Sequence, residues 1–245
     1  MTAQLLYHGH SCFEIIGNDR ILVDPFLKDN PLADVGPGDV NPDIIAVTHA
    51  HADHIGDTVE MAQRTGAPVV CIAEIAWYLA EFEGVEAIGM NLGGTVTIKD
   101  TCITMVRADH SAGLQTEKEI VPGGQAAGLI IDSGFTVYHM GDTGLFLDLK
   151  VYNILYNPDV VLVPIGGHYT MDPKQGSLAV EWLSPKVAVP MHYNTWEVIQ
   201  QDVKTFSDFI GGLMKSGITI FPMKPGEQID VHPYLGVEGE EEIKE

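Results

Sequence analysis

The run Asp43-Ile-Ile-Ala-Val-Thr-His-Ala-His-Ala-Asp-His54 decides the fold of this chain. It opens with the apolar segment Asp43–Val47, which has the length of a strand and is suited to a buried position. Metal-preferring side chains follow it closely: His49, His51, Asp53 and His54. The sequence therefore places a cluster of titratable groups just after the C-terminal end of a buried strand.

A divalent cation explains why these groups are crowded together. His49 and His51 are two residues apart, so on an extended backbone their side chains point to the same side. Crowding imidazoles and a carboxylate without a counter-charge is costly, because their desolvation is not offset. Histidine with aspartate suits zinc, iron or manganese. The alternative, a chance group of surface histidines, is disfavoured because the whole chain has only 10 histidines.

This run cannot by itself complete two tetrahedral metal sites, so further ligands must come from elsewhere. Loops at the ends of strands carry functional groups, which makes these loops the places to search. Three metal-preferring residues each stand just beyond an apolar run of strand length: His110, Asp142 and His192.

The order His-x-His-x-Asp-His, then His, Asp and His, resembles the metallo-β-lactamase superfamily from about His8 to Asn194. Other segments resemble its UlaG-like branch of metal-dependent hydrolases: Gly9–Phe13, Leu22–Phe26, Pro164–Gly167 and Tyr169–Met171. The resemblance implies an α/β (α+β) fold, a four-layer αββα sandwich with the metals at one edge between the sheets.

The resemblance also implies two divalent metal ions, with zinc preferred and manganese, iron or nickel as alternatives. It implies two ligand sets and a bridge: His49, His51 and His110 for the first metal, Asp53, His54 and His192 for the second, and Asp142 between them. Such a pair activates a bridging hydroxide for attack on a small ester, lactone or phosphoester. Asp53 is also expected to act as a catalytic proton shuttle.

Two departures from related branches narrow the function. Asp142 stands where many antibiotic-degrading members have cysteine, and His54 also departs from their usual arrangement, which argues against antibiotic hydrolysis. His51 stands where the flavodiiron branch has glutamate, which argues against oxygen reduction. Three alternatives stay open: an iron-dependent redox metalloprotein, a phosphodiesterase or nuclease, and a non-catalytic binding protein.

Five further side chains are candidates for supporting or substrate-contacting roles: Asp24, His10, His168, Tyr169 and Tyr193. Asp24 is favoured as the partner that orients a ligand histidine, the alternative being a turn-starting aspartate before proline. His10 approaches the metal loop or substrate, or is an ordinary turn histidine. His168 lies in a glycine-flanked loop that is suited to line the pocket. Either tyrosine is placed to donate to a developing oxyanion, and purely structural roles fit all three equally well.

The amino-acid composition limits the classes of molecule that this protein is expected to bind. The chain has 34 acidic and 13 basic residues and a formal net charge of −21, which disfavours nucleic acid and anionic membranes. A small-molecule substrate is expected, and a homo-oligomer stays open. The N-terminus lacks signal-peptide features, and no segment approaches the roughly 18 apolar residues of a membrane span. Without CxxC spacing, the cysteines indicate reduced core thiols and a cytoplasmic protein: Cys12, Cys71 and Cys102.

No linker or low-complexity tract divides the chain, which predicts one domain over residues 1–236 and a frayed acidic tail over 237–245. The loop Ser111–Gly124 follows a predicted ligand, and it is expected to be a lid or an oligomer contact. His8 is expected at the surface and His139 within a strand. The main predicted helices are Asp57–Thr65, Glu74–Phe82, Gly144–Tyr156, Pro173–Leu183 and Val198–Leu213.

Overall fold

The computed structural model of this chain describes residues 2–116, 118–213 and 217–236. The predicted acidic tail, residues 237–245, lies outside these residues. Within the described ranges, no helix combines the length and the apolar character needed to cross a membrane.

Strands and helices occur along the whole of the described chain and are joined by loops, the longest between Val23 and Ile44. The strands are β1 (Gln4–Gly9), β2 (Cys12–Ile16), β3 (Arg20–Val23), β4 (Ile44–Ala46), β5 (Val69–Ile72), β6 (Ala87–Met90), β7 (Thr95–Ile98), β8 (Thr101–Arg107), β9 (Gly113–Gln115), β10 (Ile120–Pro122), β11 (Ala127–Asp132), β12 (Thr136–His139), β13 (Val160–Pro164), β14 (Val187–Met191), β15 (Thr219–Ile220) and β16 (Gln228–Asp230). The helices are α1 (Ala52–Ile55), α2 (Thr58–Thr65), α3 (Ala73–Tyr78), α4 (Leu149–Tyr156), α5 (Pro173–Leu183) and α6 (Val203–Leu213).

The strands form two seven-stranded mixed sheets, which confirms the predicted α/β fold class. The first sheet has the order β16-β1-β2-β3-β4-β5-β6, and the second has the order β15-β14-β13-β12-β11-β8-β7. In each sheet an antiparallel part leads into a parallel part, at β3 and β4 in the first and at β12 and β13 in the second. The ends of parallel strands from both sheets are therefore available to carry a site.

The core has two parts because successive side chains of a strand point to opposite faces. In β11, Leu129 and Ile131 belong to the large cluster that also contains the first sheet, α2 and α3. Ile130 belongs instead to a second cluster, which packs the other face of this sheet against α4, α5 and α6. The second sheet is thus covered by the first sheet on one face and by helices on the other.

One predicted helix has the same bounds in the structure. The chain enters α5 through a capping box, in which the Asp172 carboxylate accepts from the Gln175 backbone N–H and the Gln175 side chain accepts from the Asp172 N–H. Pro173 occupies the first turn, where no intrahelical donor is needed. Local sequence therefore suffices to begin this helix at the predicted residue.

Two other predicted helices begin later in the chain than expected. The segment predicted from Gly144 is helical only from Leu149, because the Gly144 N–H donates to the backbone carbonyl of Asp109. The helix predicted from Val198 is preceded by the short 3₁₀ turn Glu197–Ile199, and α6 begins at Val203. In the first of these segments, a long-range hydrogen bond outweighs helical propensity.

The predicted loop Ser111–Gly124 is partly ordered as a two-stranded antiparallel hairpin, β9 with β10. This hairpin and α3 enclose a cavity of about 780 Å³, which is lined mainly by apolar side chains. Whether the segment acts as a lid or as an oligomer contact stays a prediction. The cysteines are free thiols, with Cys12 and Cys71 buried and Cys102 half-buried.

The surface position expected for His8 is wrong. The ring is buried, with Nδ1 2.8 Å from Asp34 Oδ1 and Nε2 3.0 Å from Glu14 Oε1. Burial lowers the pKa of His8, but hydrogen bonds to the two carboxylates outweigh burial and raise it above the ordinary value of 6.5. Only the protonated ring can donate to both partners at once.

Replacing His8 with asparagine should therefore cost more stability in acid than in alkali. The stabilising proton is fully present below the unfolded-state pKa of 6.5 and is lost as pH rises through the higher folded-state pKa. We expect a loss of about 1–3 kcal/mol in the free energy of unfolding near pH ~5.5 and a smaller loss near pH ~9. Urea denaturation measures both values, with the exposed His232→Asn as the control. An equal loss at the two pH values contradicts this role.

Candidate metal centre

The predicted ligands lie where strand ends of both sheets meet. One group of them follows β4 of the first sheet, and the others follow β8, β12 and β14 of the second. Their side chains form overlapping groups whose nitrogen and oxygen atoms lie within 4.8 Å of one another. The structure therefore brings together all seven residues that the sequence pattern selects: His49, His51, Asp53, His54, His110, Asp142 and His192.

The first group contains His49, His51 and His110. His49 Nε2 lies 2.9 Å from His51 Nδ1. The ring of His110 is 5.2 Å from that of His49 and 5.1 Å from that of His51, centroid to centroid, and nearly perpendicular to both. Three imidazoles therefore surround one point, as a metal site of three nitrogens requires.

The second group contains Asp53, His54 and His192, together with His10. The rings of His54 and His192 are stacked with 5.6 Å between their centroids. His192 Nε2 lies 3.9 Å from Asp53 Oδ2, and His10 Nε2 lies 3.1 Å from the same oxygen. His10 thus approaches the metal loop, one of the two positions considered for it from the sequence.

The Asp142 carboxylate links the two groups. Its Oδ1 lies 3.3 Å from His54 Nε2, and its Oδ2 lies 3.5 Å from His110 Nε2 and 3.0 Å from His192 Nε2. The side chain is buried, so solvent offers no alternative partner for these atoms. The carboxylate therefore faces histidines of both groups, which is the geometry of a bridge.

Unpartnered polar atoms test whether this cluster suits cations. Buried atoms without a hydrogen-bond partner include His54 Nε2, Asp142 Oδ1 and His192 Nε2. Leaving such an atom unsatisfied costs about 1–3 kcal/mol, and here several face one another. Divalent cations would satisfy these atoms, because neutral imidazole nitrogens and carboxylate oxygens are suitable ligands for zinc, manganese and iron. The donor set fits the expected metals.

The buried Asp24 carboxylate organises the histidines from behind. It accepts the Thr48 backbone N–H at 2.8 Å, the Thr48 hydroxyl at 2.7 Å and His54 Nδ1–H at 2.7 Å. Since the Thr48 hydroxyl proton goes to Asp24, Thr48 Oγ1 accepts from His49 Nδ1–H at 3.0 Å. In both rings Nε2 is then the nitrogen that faces the cluster. The position favoured for Asp24 in the sequence, behind a ligand histidine, matches these contacts.

Strained backbone accompanies the cluster. His10, Asp24 and His192 all have positive φ angles, of 57°, 48° and 54°. Each costs of the order of 1–3 kcal/mol and persists only where surrounding contacts hold it. Gly141, which precedes Asp142, also has a positive φ of 59°, and a Cβ there would lie 2.6 Å from the Ala127 carbonyl oxygen. The turn that presents Asp142 therefore requires glycine.

A cleft of about 610 Å³ opens over the cluster. Its lining includes five of the predicted ligands together with residues from surrounding loops: Phe26, His51, Ala52, Asp53, His110, Ser111, Asp142, Tyr169, His192, Trp196 and Val198. Tyr169 therefore lies where the sequence placed it. None of the clustered residues lines the larger cavity beside α3, so the chemistry belongs to this cleft.

Two predicted pocket residues lie elsewhere. His168 is exposed and lines an adjoining cavity of about 590 Å³, with its ring against Tyr169. Tyr193 packs against the hydrophobic cluster of the second sheet and its helices. His192 has a positive φ, so the chain turns there instead of continuing as a strand. The alternation of side chains along a strand therefore does not predict the direction of Tyr193, the next residue.

Five cleft residues were not among the site residues predicted from the sequence: Phe26, Ala52, Ser111, Trp196 and Val198. Ser111 Oγ lies 3.3 Å from His51 Nε2, the ring nitrogen on the side away from His49. Trp196 lies edge-on to His10, with 4.9 Å between the ring centroids. Both follow a predicted ligand by a few residues within the same loop, and this proximity was the available signal.

Comparison with known proteins gives the family of the chain. Residues 4–192 match the model of the Beta-lactamase superfamily domain. The chain belongs to the metallo-β-lactamase superfamily. The match covers the whole span from β1 to the last predicted ligand, so it includes every residue of the cluster. The finer UlaG-like assignment stays a prediction.

Relatives over nearly the full length carry one common description. A UPF0173 metal-dependent hydrolase of Methanosarcina mazei is 42% identical over 229 residues, covering 93% of this chain and 98% of the relative. Another, from Thermococcus onnurineus, is 46% identical over 226 residues, covering 91% of this chain and 97% of the relative. Among solved structures, the metallo hydrolase Igni18 of Ignicoccus hospitalis is 39% identical with a TM-score of 0.82, covering 94% of this chain and 98% of that chain.

The clustered histidines of this superfamily member differ in the direction in which their surroundings shift the pKa of each ring. Burial lowers the pKa of His49, His51 and His110, so these rings stay neutral and keep a lone pair for a cation. Burial also acts on His54, but the facing Asp142 and Asp24 carboxylates outweigh it and raise the pKa well above its ordinary value. In the protein without metal, His54 therefore retains a proton at a position where a cation would bind.

Replacing Asp24 with asparagine should weaken metal binding without unfolding the chain. The amide has one acceptor oxygen where the carboxylate accepts three hydrogen bonds, so His49 and His54 lose their fixed orientation. We expect zinc affinity to fall about 10- to 100-fold, measured by competition with a chromophoric chelator. Asp43→Asn, on the exposed Asp43–Lys99 pair, is the matched control. Unchanged affinity in Asp24→Asn contradicts the orienting role.

Zinc affinity should also fall as the pH falls. The raised pKa of His54 means that a cation must displace a proton, and this competition becomes stronger at lower pH. We expect a change of roughly tenfold per pH unit for each displaced proton between pH ~6 and pH ~8. Titration in two buffers of different ionisation enthalpy counts the protons released. Binding that releases no proton throughout this range would refute the assignment.

Proposed function

We propose that this chain is a binuclear metal-dependent hydrolase that acts on a small ester, lactone or phosphoester. The observation that carries the proposal is the buried Asp142 carboxylate, which faces His54 with one oxygen and His110 and His192 with the other. The description of the relatives as metal-dependent hydrolases supports the same class. The acidic net charge of −21 supports a small-molecule substrate over nucleic acid or a membrane.

Two ligand sets follow from the grouping of the side chains. His49, His51 and His110 would hold one metal, Asp53, His54 and His192 the other, and Asp142 would bridge them. Zinc is the proposed metal, because the histidine-rich donor set suits it, although manganese, iron and nickel fit the same atoms. When bound, such a pair of cations lowers the pKa of water and polarises a carbonyl or phosphoryl oxygen.

The protein's own residues then position water and move protons. Asp53 lines the cleft and is held by His10, whose Nδ1 in turn lies 2.8 Å from Thr195 Oγ1. Burial raises the pKa of Asp53, but its hydrogen bond to His10 and the nearby His54 outweigh burial and lower it. Asp53 is therefore ionised and accepts a hydrogen bond from water in the cleft, and its place beside the metals, not its basicity, is the reason to propose it as the proton shuttle. Tyr169 lines the same cleft, and its hydroxyl is the donor that we propose for the developing oxyanion.

Metal content tests the proposal directly. Protein expressed without added metal and reconstituted with zinc should contain two first-row metal ions per chain by inductively coupled plasma mass spectrometry. A single iron per chain would favour the redox alternative. Failure to retain any metal after reconstitution with zinc, manganese or iron would refute the proposal and favour a binding protein.

Asp142→Ala should remove the bridge. Since His54 and His192 lose their common partner, we expect at least one metal to be lost per chain and turnover to fall by about 10²-fold or more. The exposed Asp148→Ala, which removes a carboxylate from the loop after β12, serves as control. A folded Asp142→Ala protein that keeps two metals and full activity would show that Asp142 does not bridge.

A further inference from the structure

The cleft over the metal cluster has a polar floor and uncharged walls. Its floor is made by the predicted ligands, whose nitrogen and oxygen atoms face the metals. Its remaining lining is uncharged: Phe26, Ala52, Ser111, Tyr169, Trp196 and Val198. The part of a substrate that does not react must therefore contact this second set of side chains.

Aromatic rings dominate these walls. Phe26 is nearly buried and lies 6.2 Å from Trp196, centroid to centroid, so it forms a fixed surface. Trp196 is supported by His10 yet remains 38% exposed, and Tyr169 at the mouth is 56% exposed. Large aromatic rings left open beside a reactive centre present flat apolar surfaces that are suited to a ligand.

Positive charge is missing from the same walls. Among the described residues, neither lysine nor arginine lines the cleft. Lys174 lines the adjoining cavity instead, and Val198 is the residue that the two cavities share. Arg107, in the strand that leads to His110, is paired with Asp109 at 2.7 Å. The described lining of the cleft therefore offers no cationic side chain to an anionic group outside the metal centre, and the net charge of −21 on the chain acts in the same direction.

We propose that the substrate is an uncharged carboxylic ester or lactone that carries an aromatic or other apolar group, which binds against Phe26, Tyr169 and Trp196. The inference rests on the proposed hydrolase function and selects among its substrates. Hydrolysis adds the oxygen of water to the carbonyl carbon, breaks the bond to the alkoxy oxygen, and transfers the proton of water to that oxygen. Phosphoesters are disfavoured, because their remaining anionic oxygens lack a cationic side chain.

A pair of esters with one leaving group tests the charge preference. p-Nitrophenyl butyrate and p-nitrophenyl 4-sulfobutyrate share a leaving group and a four-carbon acyl chain, but only the second carries an anionic group on that chain. With the zinc-reconstituted protein we expect kcat/KM to be about tenfold higher or more for the butyrate. KM should also be at least tenfold lower for the butyrate than for the anionic bis(p-nitrophenyl) phosphate. The reverse order in either comparison overturns the inference while leaving a metal-dependent hydrolase in place.

Substitutions in the cleft walls test which side chains cause the preference for an uncharged substrate. Trp196→Ala should raise KM for the butyrate roughly tenfold with a smaller effect on kcat, and Trp196→Phe should restore much of the loss. The exposed Trp77→Ala in the cavity beside α3 is the matched control. Val198→Lys places a cation where the two cavities meet and should improve kcat/KM for the sulfobutyrate, whereas Val198→Met should not. Wild-type kinetics in Trp196→Ala would overturn the assignment of this wall.

Binding without metal separates this inference from the proposed function. Butyranilide is a neutral amide analogue, and phenyl phosphate is an anionic aryl ligand of similar size. By isothermal titration calorimetry on the full chain after metal removal, we expect butyranilide to bind and phenyl phosphate to bind at least tenfold more weakly. Trp196→Ala should abolish the butyranilide signal. If butyranilide does not bind, or binds independently of Trp196, the inference is wrong. If it binds as expected but the protein holds no metal, the proposed function fails alone.

Discussion

The arrangement on which this structure depends is a buried carboxylate surrounded by imidazoles where two sheets meet. Asp142 faces His54, His110 and His192 within 3.5 Å, and several of the facing atoms lack hydrogen-bond partners. A protein interior tolerates such a group only if a cation or protons compensate it. The same constraint explains why strands of both sheets end at this edge, since neither sheet alone supplies both ligand sets.

A second layer of contacts turns this cluster into a preorganised site. Asp24 accepts hydrogen bonds from the Thr48 hydroxyl and the His54 ring, which fixes both groups. The Thr48 hydroxyl oxygen in turn accepts from His49 Nδ1–H and fixes that ring. His139, in a strand as predicted, accepts the Gly141 N–H at 3.2 Å and donates to the Ser11 carbonyl at 2.9 Å. These bonds tie the turn that presents Asp142 to the loop that carries His10. Positive φ angles occur at the same places because these bonds hold them there.

Sequence reasoning succeeded where local chemistry determines position. The helix at Pro173–Leu183 was predicted with its bounds because a proline near the first turn is a local signal for a helix start. The order of metal-preferring residues after apolar strands selected a set that the structure assembles. Reasoning failed for His8, whose partners Glu14 and Asp34 are recognisable only in the folded chain, and for Gly144, which bonds to Asp109 instead of beginning a helix.

By itself, the sequence determined the class of fold, the elements of the site and the family resemblance, because each is encoded in residue type and short-range spacing. Only the tertiary structure decided which residues line the cleft. It placed Phe26 and Trp196 on the wall, left His168 in an adjoining cavity, and packed Tyr193 against the helices. These positions depend on how loops from distant strand ends pack together. At backbone turns such as the one at His192, the following side chain does not point in the direction that the alternation along a strand predicts.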